Sequence, residues 1–127
     1  MRILLADQHA TPRWALKTMI EEEPEFELVG EAVDVESLQY LSILHCPDLI
    51  LIDRELPGGP IDDVITALHL LDPKPVVIVM SSDPGHGRLL LKAGADAFVS
   101  KGEQVDWLLR VLQKYKKTIK DKEELKK

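Results

Sequence analysis

Pro47-Asp48-Leu49-Ile50-Leu51-Ile52-Asp53 decides the fold of this chain. Four consecutive aliphatic residues stand between two acids, with no polar alternation. A strand that shows an apolar face on both sides is one covered on both sides, the pattern of a parallel sheet flanked by helices. Similar runs recur near residues 2–6, 26–32, 75–80 and 96–99. The first, third and fourth are apolar almost throughout. Between them lie longer segments with helical spacing. Thr11-Pro12 suits a helix start, with Ala15, Leu16, Met19 and Ile20 on one face and Pro24 as the stop. Leu38, Leu41 and Leu44 mark a second helix before Pro47, and Val64, Ile65, Leu68 and Leu71 a third ended before Pro73. Leu89, Leu90 and Ala93 mark a short fourth closed by Gly94, and Leu108, Leu109, Leu112 and Tyr115 a long fifth. The chain therefore reads as a doubly wound α/β fold on a five-stranded parallel sheet.

In such a sheet the C-terminal strand ends share one edge, where open α/β folds place their ligands. Asp7 follows the first apolar run, Asp53 ends the third, Ser81 follows the fourth and Lys101 the fifth. Two carboxylates, a hydroxyl and an ammonium at one edge describe a site for a phosphoryl group and a divalent cation. Taken singly, each has a plainer reading. A strand-end Asp is often a turn or cap, Ser81 would bond nearby backbone, Lys101 would be solvated, and Phe98 would be core. His9, His45, His69 and His86 show no metal spacing and read as surface or capping residues. Cys46 reads as a small apolar filler.

Composition bounds the function. The chain has 127 residues, 45% hydrophobic and 30% charged, as expected of one globular domain. A net charge of −6 argues against nonspecific nucleic-acid or membrane-surface binding. The single cysteine excludes an internal disulfide and a cysteine-based zinc site, which fits a reduced, cytoplasmic setting. No apolar run reaches membrane-spanning length.

Ile3-Leu4-Leu5-Ala6-Asp7, Pro47 to Asp53, Leu56-Pro57-Gly58, Ala93-Gly94-Ala95-Asp96-Ala97-Phe98 and Ser100-Lys101-Gly102 occur in order. Over residues 1–115 the chain thereby resembles the receiver domain of two-component response regulators, especially the LuxR/NarL-type branch that precedes a helix-turn-helix. The resemblance implies a flavodoxin-like receiver fold with strand order 2-1-3-4-5. It implies a domain over residues 1–120, with 121–127 as a polar tail or the start of a linker. It implies Asp53 as phosphoacceptor for a histidine kinase, Ser81 and Lys101 as phosphate contacts, and Phe98 as an aromatic switch. Mg2+ would be held by Asp7, Asp53 and the Glu55 backbone. Such a protein is a stoichiometric phosphoacceptor rather than an enzyme, and controls transcription through an output domain that is not in this sequence.

Four departures from the family pattern stand out. Gln8 occupies the place of a second acid, so its metal contact is weak or lost. Gly58-Gly59-Pro60-Ile61 ends in Ile61 where a glycine is usual. The stretch from Ser81 to Lys101 is about two residues short, which predicts a short or remodelled fourth helix. Gly102 replaces a common proline, so no cis bond is expected there. These changes leave a degenerate receiver, acting as a phosphorylation-independent interaction module, as the alternative. A haloacid-dehalogenase-type phosphatase would need an Asp where Glu55 stands. Trp107 and Val111 lie off the buried stripe of the fifth helix. With Trp14 on the first helix they predict a symmetric homodimer through helix 5 and either helix 1 or the edge of strand 5.

Overall fold

The computed structural model describes residues 1–101 and 105–125. Five parallel strands, β1 (Arg2–Ala6), β2 (Glu27–Ala32), β3 (Leu49–Asp53), β4 (Val76–Ser81) and β5 (Ala97–Ser100), form one sheet in the order β2-β1-β3-β4-β5. Five helices alternate with them: α1 (Ala10–Glu21), α2 (Val35–His45), α3 (Ile61–His69), α4 (Gly87–Lys92) and α5 (Val105–Leu125). The expected topology is present, and every strand lies within a residue of its expected bounds. The expectation of no cis bond at Gly102 falls outside the described residues.

Side chains alternate across a strand, and the core divides accordingly. Leu4, Ala6, Ile50, Ile52, Val77 and Val79 pack with Leu38 of α2, Val64, Ile65 and Leu68 of α3 and Leu90 of α4. Ile3, Leu5, Leu49, Leu51, Ile78 and Met80 pack with Met19 and Ile20 of α1 and Leu108 and Leu112 of α5. Truncating the leucines, isoleucines or methionines among them to alanine would cost about 2–5 kcal/mol. The two acids of the third strand serve opposite ends. Asp48 takes the Arg2 amide at 2.8 Å below the sheet, while Asp53 lies at the upper edge.

Local expectations need correction at the helix ends. α1 starts at Ala10 with His9 as N-cap, two residues before Pro12. The Asp7 carboxylate accepts the His9 amide at 2.9 Å and turns the chain early. Pro12 is tolerated because first-turn amides have no partner within the helix. Ala15, Leu44 and Leu89 are exposed, since the buried faces fall on Met19 and Ile20, on Val35 and Leu38, and on Leu90. Cys46 is not core filler. It is exposed, and it closes α2 in the left-handed conformation at φ 47°. α2 begins with an Asp34–Ser37 capping box, and the Ser37 hydrogen bonds hold the Asp34 carboxyl below its ordinary range. The short fourth helix is observed: α4 has six residues, entered through a 3-10 turn over Pro84–His86.

Candidate functional site

Strand register brings the polar residues to one level. Ala6 pairs with Ile52, so the next residues, Asp7 and Asp53, leave their strands side by side. Ser81 pairs with Ser100, and the Lys101 amide donates to the Ser81 carbonyl at 2.8 Å. Lys101 then turns back over the sheet edge. Its Nζ donates to Asp7 Oδ2 at 3.0 Å and to Asp53 Oδ2 at 2.9 Å. Both carboxylates are essentially buried, with side-chain exposures of 0% and 3%. Burial pulls the Lys101 ammonium down, but its hydrogen bonds to Asp53 and Asp7 and their negative charges outweigh it. The group is held above its ordinary value.

Asp53 Oδ1 accepts the Glu55 amide at 3.1 Å, which folds the loop after β3 back onto the carboxylate. That loop is pinned from the other side. The Pro57 carbonyl takes the Val35 amide at 2.9 Å. Gly58, at φ +117°, passes so close to Val35 that a Cβ would sit 3.0 Å from its Cβ. Gln8 does not join Asp7 and Asp53. Its Nε2 donates to the Glu55 carbonyl at 3.2 Å, the oxygen expected to serve a cation.

Ser81 is buried beside Lys101 but faces a different partner. Its hydroxyl lies 2.9 Å from His86 Nδ1 and accepts the Asp83 amide at 3.1 Å. His86 Nε2 lies 3.4 Å from Asp83 Oδ2. With Nε2–H directed to that carboxylate, Nδ1 is left to accept the Ser81 proton. Phe98 is half-buried, and its ring rests on the start of α4: a Cβ on Gly87 would be 2.9 Å from Phe98 Cδ1. Ser81 and Phe98 thus touch two consecutive residues of one short segment.

Sequence alone assigns His9 and His86 to the surface or to caps, and His9 is indeed exposed and the N-cap residue of α1. His9 makes no side-chain cap bond. Its Nδ1 instead lies 3.4 Å from Asp7 Oδ1 and 3.8 Å from Asp53 Oδ2. The available signal was position, since His9 stands two residues beyond Asp7. His86 was legible only through the Pro84-Gly85 turn that returns the chain to Ser81. Two buried carboxylates beside a backbone carbonyl are a donor set that suits a divalent cation.

A groove of about 490 Å³ runs between α4, β5 and α5, with Leu91, Phe98, Trp107 and Val111 as apolar wall and Asp96, Arg110 and Lys114 among its polar groups. Leu108 and Leu112 are buried as expected, while Trp107 is 46% exposed. Trp14 is exposed on α1 and does not line this groove. Among the described residues no helix is long and apolar enough to cross a membrane.

The model of the response regulator receiver domain family matches residues 3–113. The transcriptional regulatory protein LiaR of Bacillus subtilis is 30% identical over 103 residues, covering 80% of this chain and 49% of that protein. A protein-glutamate methylesterase/protein-glutamine glutaminase of Nitratidesulfovibrio vulgaris is 34% identical over 104 residues, covering 78% of this chain and 28% of that protein. The chain therefore spans half or less of the length of these curated relatives. Among solved structures, the receiver domain of the putative response regulator NarL from Mycobacterium tuberculosis superposes with a TM-score of 0.82 at 24% identity, over 91% of this chain and 95% of that one. A LuxR-family response regulator from Aurantimonas sp. SI85-9A1 gives the same score and identity over 92% of this chain and 85% of its own. At that identity the likeness is one of fold.

Proposed function

This chain belongs to the response regulator receiver domain family, and we propose that it accepts a phosphoryl group on Asp53 from a histidine kinase and passes the change to a protein-interaction surface. The observation that carries this reading is the convergence of Asp7, Asp53 and Lys101 at one sheet edge, with Lys101 bridging both carboxylates at 3.0 and 2.9 Å. An Asp53 oxygen attacks phosphorus. The new O–P bond forms as the N–P bond of the donor phosphohistidine breaks, and the leaving imidazole keeps the electron pair and takes up a proton. The product is a mixed anhydride. Such a transfer needs positioning and charge neutralisation more than covalent machinery. Lys101 supplies a fixed positive charge. Ser81 donates its hydroxyl to a phosphoryl oxygen once it leaves His86. Phe98 repacks as the segment bearing His86 and Gly87 shifts, a two-state change biased by local charge.

Mg2+, held by Asp7, Asp53 and the Glu55 carbonyl, would add neutralising charge to the phosphoryl oxygens when bound. Gln8 contributes no charge to that set, so Mg2+ binding is weaker than in a receiver with two adjacent acids.

Residues 1–120 are assigned to the receiver and 121–127 to a tail or linker, in which α5 continues up to Leu125, towards an output domain in a longer cytoplasmic regulator, most simply a transcription factor. The groove along α5 serves as a symmetric homodimer surface with the edge of β5. Its apolar wall of Leu91, Phe98, Trp107 and Val111 would meet the same wall of a two-fold copy.

Incubation with acetyl phosphate and Mg2+, read by intact mass, tests the reading. A phosphoryl adduct that disappears in Asp53→Asn supports it. An adduct of equal yield in Asp53→Asn removes Asp53 as acceptor. No adduct in the wild type favours the phosphorylation-independent module.

A further inference from the structure

We propose that Asp7, His9 and Asp53 form a site for a nitrogen-accepting divalent ion of the first transition row, with Zn2+ as its type and the His9 imidazole as third protein ligand. The proposal rests on reading Asp7 and Asp53 as a metal pocket. It goes beyond that reading in the ligand it adds and in the ion it favours.

One ligand atom from each of the three residues can be chosen so that all lie within 4.8 Å of one another. His9 Nδ1 is 3.4 Å from Asp7 Oδ1 and 3.8 Å from Asp53 Oδ2. Tetrahedral Zn2+ with nitrogen and oxygen ligands at its usual bond lengths sets neighbouring ligand atoms roughly 3.3–3.5 Å apart. Octahedral Mg2+ sets them near about 2.9 Å and takes oxygen ligands. The 3.4 Å spacing falls within the tetrahedral range and the 3.8 Å spacing above it, both longer than the octahedral value, and one donor is nitrogen. Imidazole favours zinc and its transition-row neighbours over hard cations.

The same loop that adds a nitrogen removes an oxygen. Gln8 brings no charge, and its amide already donates to the Glu55 carbonyl at 3.2 Å. The two carboxylates are buried while the His9 side chain is 54% exposed, so an ion enters from the His9 side and leaves an outward position for water or a phosphoryl oxygen. His9 sits at an N-cap without a cap bond, which frees its ring for this role. The competing arrangement keeps Lys101 as the sole partner of the two acids, its Nζ already 3.0 Å from Asp7 Oδ2 and 2.9 Å from Asp53 Oδ2, with His9 merely beside them. In that case metal binding would not depend on the ring.

The test is calorimetric titration of the whole chain with ZnCl2 and, separately, MgCl2, with no phosphoryl donor present. A Cys46→Ser, His69→Gln, His86→Gln background removes the other zinc-binding side chains that lie near an acid or carry a thiol. In that background, His9→Phe is expected to weaken Zn2+ binding by roughly tenfold or more and to leave Mg2+ binding within about twofold. Asp53→Asn weakens both ions. Co2+ substitution gives a second readout, since its visible absorption band should lose intensity in His9→Phe. The exposed position of His9 lets that variant fold, and matched melting temperatures check this. Zn2+ affinity unchanged within about twofold in His9→Phe would overturn the proposal, as would an unaltered Co2+ spectrum. Failure of the phosphoacceptor reading looks different: no mass adduct on Asp53, with the His9 dependence of Zn2+ intact.

Discussion

Ser81 Oγ and His86 Nδ1 lie 2.9 Å apart, and a hydroxyl has only one proton to give. A Ser81 that donates to His86 cannot at the same moment donate to a phosphoryl group on Asp53. Under the proposed phosphoacceptor reading, this contact would hold the hydroxyl, and the 3-10 turn with it, until a phosphoryl group arrives. His86→Ala removes one net hydrogen bond, about 1 kcal/mol. It should shift the balance towards the released arrangement by about fivefold. Amide hydrogen exchange over residues 84–92 in the unphosphorylated protein measures this, with faster exchange expected in the variant.

Lys101 neutralises two buried acids, so its loss strands them. Breaking a fully buried pair costs about 3–5 kcal/mol. The ammonium here is partly exposed, so Lys101→Met is expected to cost about 2 kcal/mol in urea unfolding.

The pH dependence of that term has a definite sign. The folded value of Lys101 lies above its ordinary 10.5. The stabilisation is therefore complete below about 10.5 and is lost as pH rises through the higher folded value. Melting curves from neutral to strongly alkaline pH should show the wild type converging on Lys101→Met only beyond that point.

Gly87 leaves no room for a side chain, since a Cβ would meet the Phe98 ring at 2.9 Å. Gly87→Ala should displace the ring or the helix start, at a cost of about 1–3 kcal/mol. Displaced aromatic resonances of Phe98 in NMR spectra, without loss of the remaining fold, are the expected result.

Gln8→Asp withdraws the amide from the Glu55 carbonyl and adds a charge beside Asp7 and Asp53. Mg2+ should bind on the order of tenfold more tightly. Stability without metal should fall, because three clustered carboxylates repel. Paired Mg2+ titrations and melting curves check both signs.

Trp107→Ala tests the association surface. A homodimer through the α5 groove should weaken by about 2 kcal/mol or more when its central aromatic is removed. Sedimentation of the two proteins at matched concentration reads this directly. A wild type that stays monomeric at high micromolar concentration, with and without phosphorylation, would count against the dimer.

The strands and the sheet edge were legible because parallel strands buried on both faces carry an unbroken aliphatic signal, as in Leu49 to Ile52. Helix faces were less so. Leu44 and Leu89 fit a helical period but point outward, because a leucine-rich helix offers more than one apolar stripe and only packing selects among them. The levels of Asp7, Asp53, Ser81 and Lys101 followed from topology alone. The placement of His9 and His86 did not, since each depends on how a turn closes. The Asp7 carboxylate captures the His9 amide, and Pro84-Gly85 folds His86 back on Ser81. Gln8 illustrates a further limit: its identity announced a missing charge, but not that its amide would occupy the Glu55 carbonyl.

The Lys101 bridge to Asp7 joins residues 94 positions apart. All five strands precede Lys101 in the chain, and four of them are complete before β5 and its lysine are made. A nascent chain that closes its sheet early would bury two carboxylates with no counter-charge, a state costly enough to reopen. The charge balance of the site therefore ties the stability of the upper sheet edge to the docking of the last strand. Contacts this distant in sequence form slowly. Protection of the Asp7 and Asp53 amides should accordingly appear late in refolding, after the strand centres have already paired.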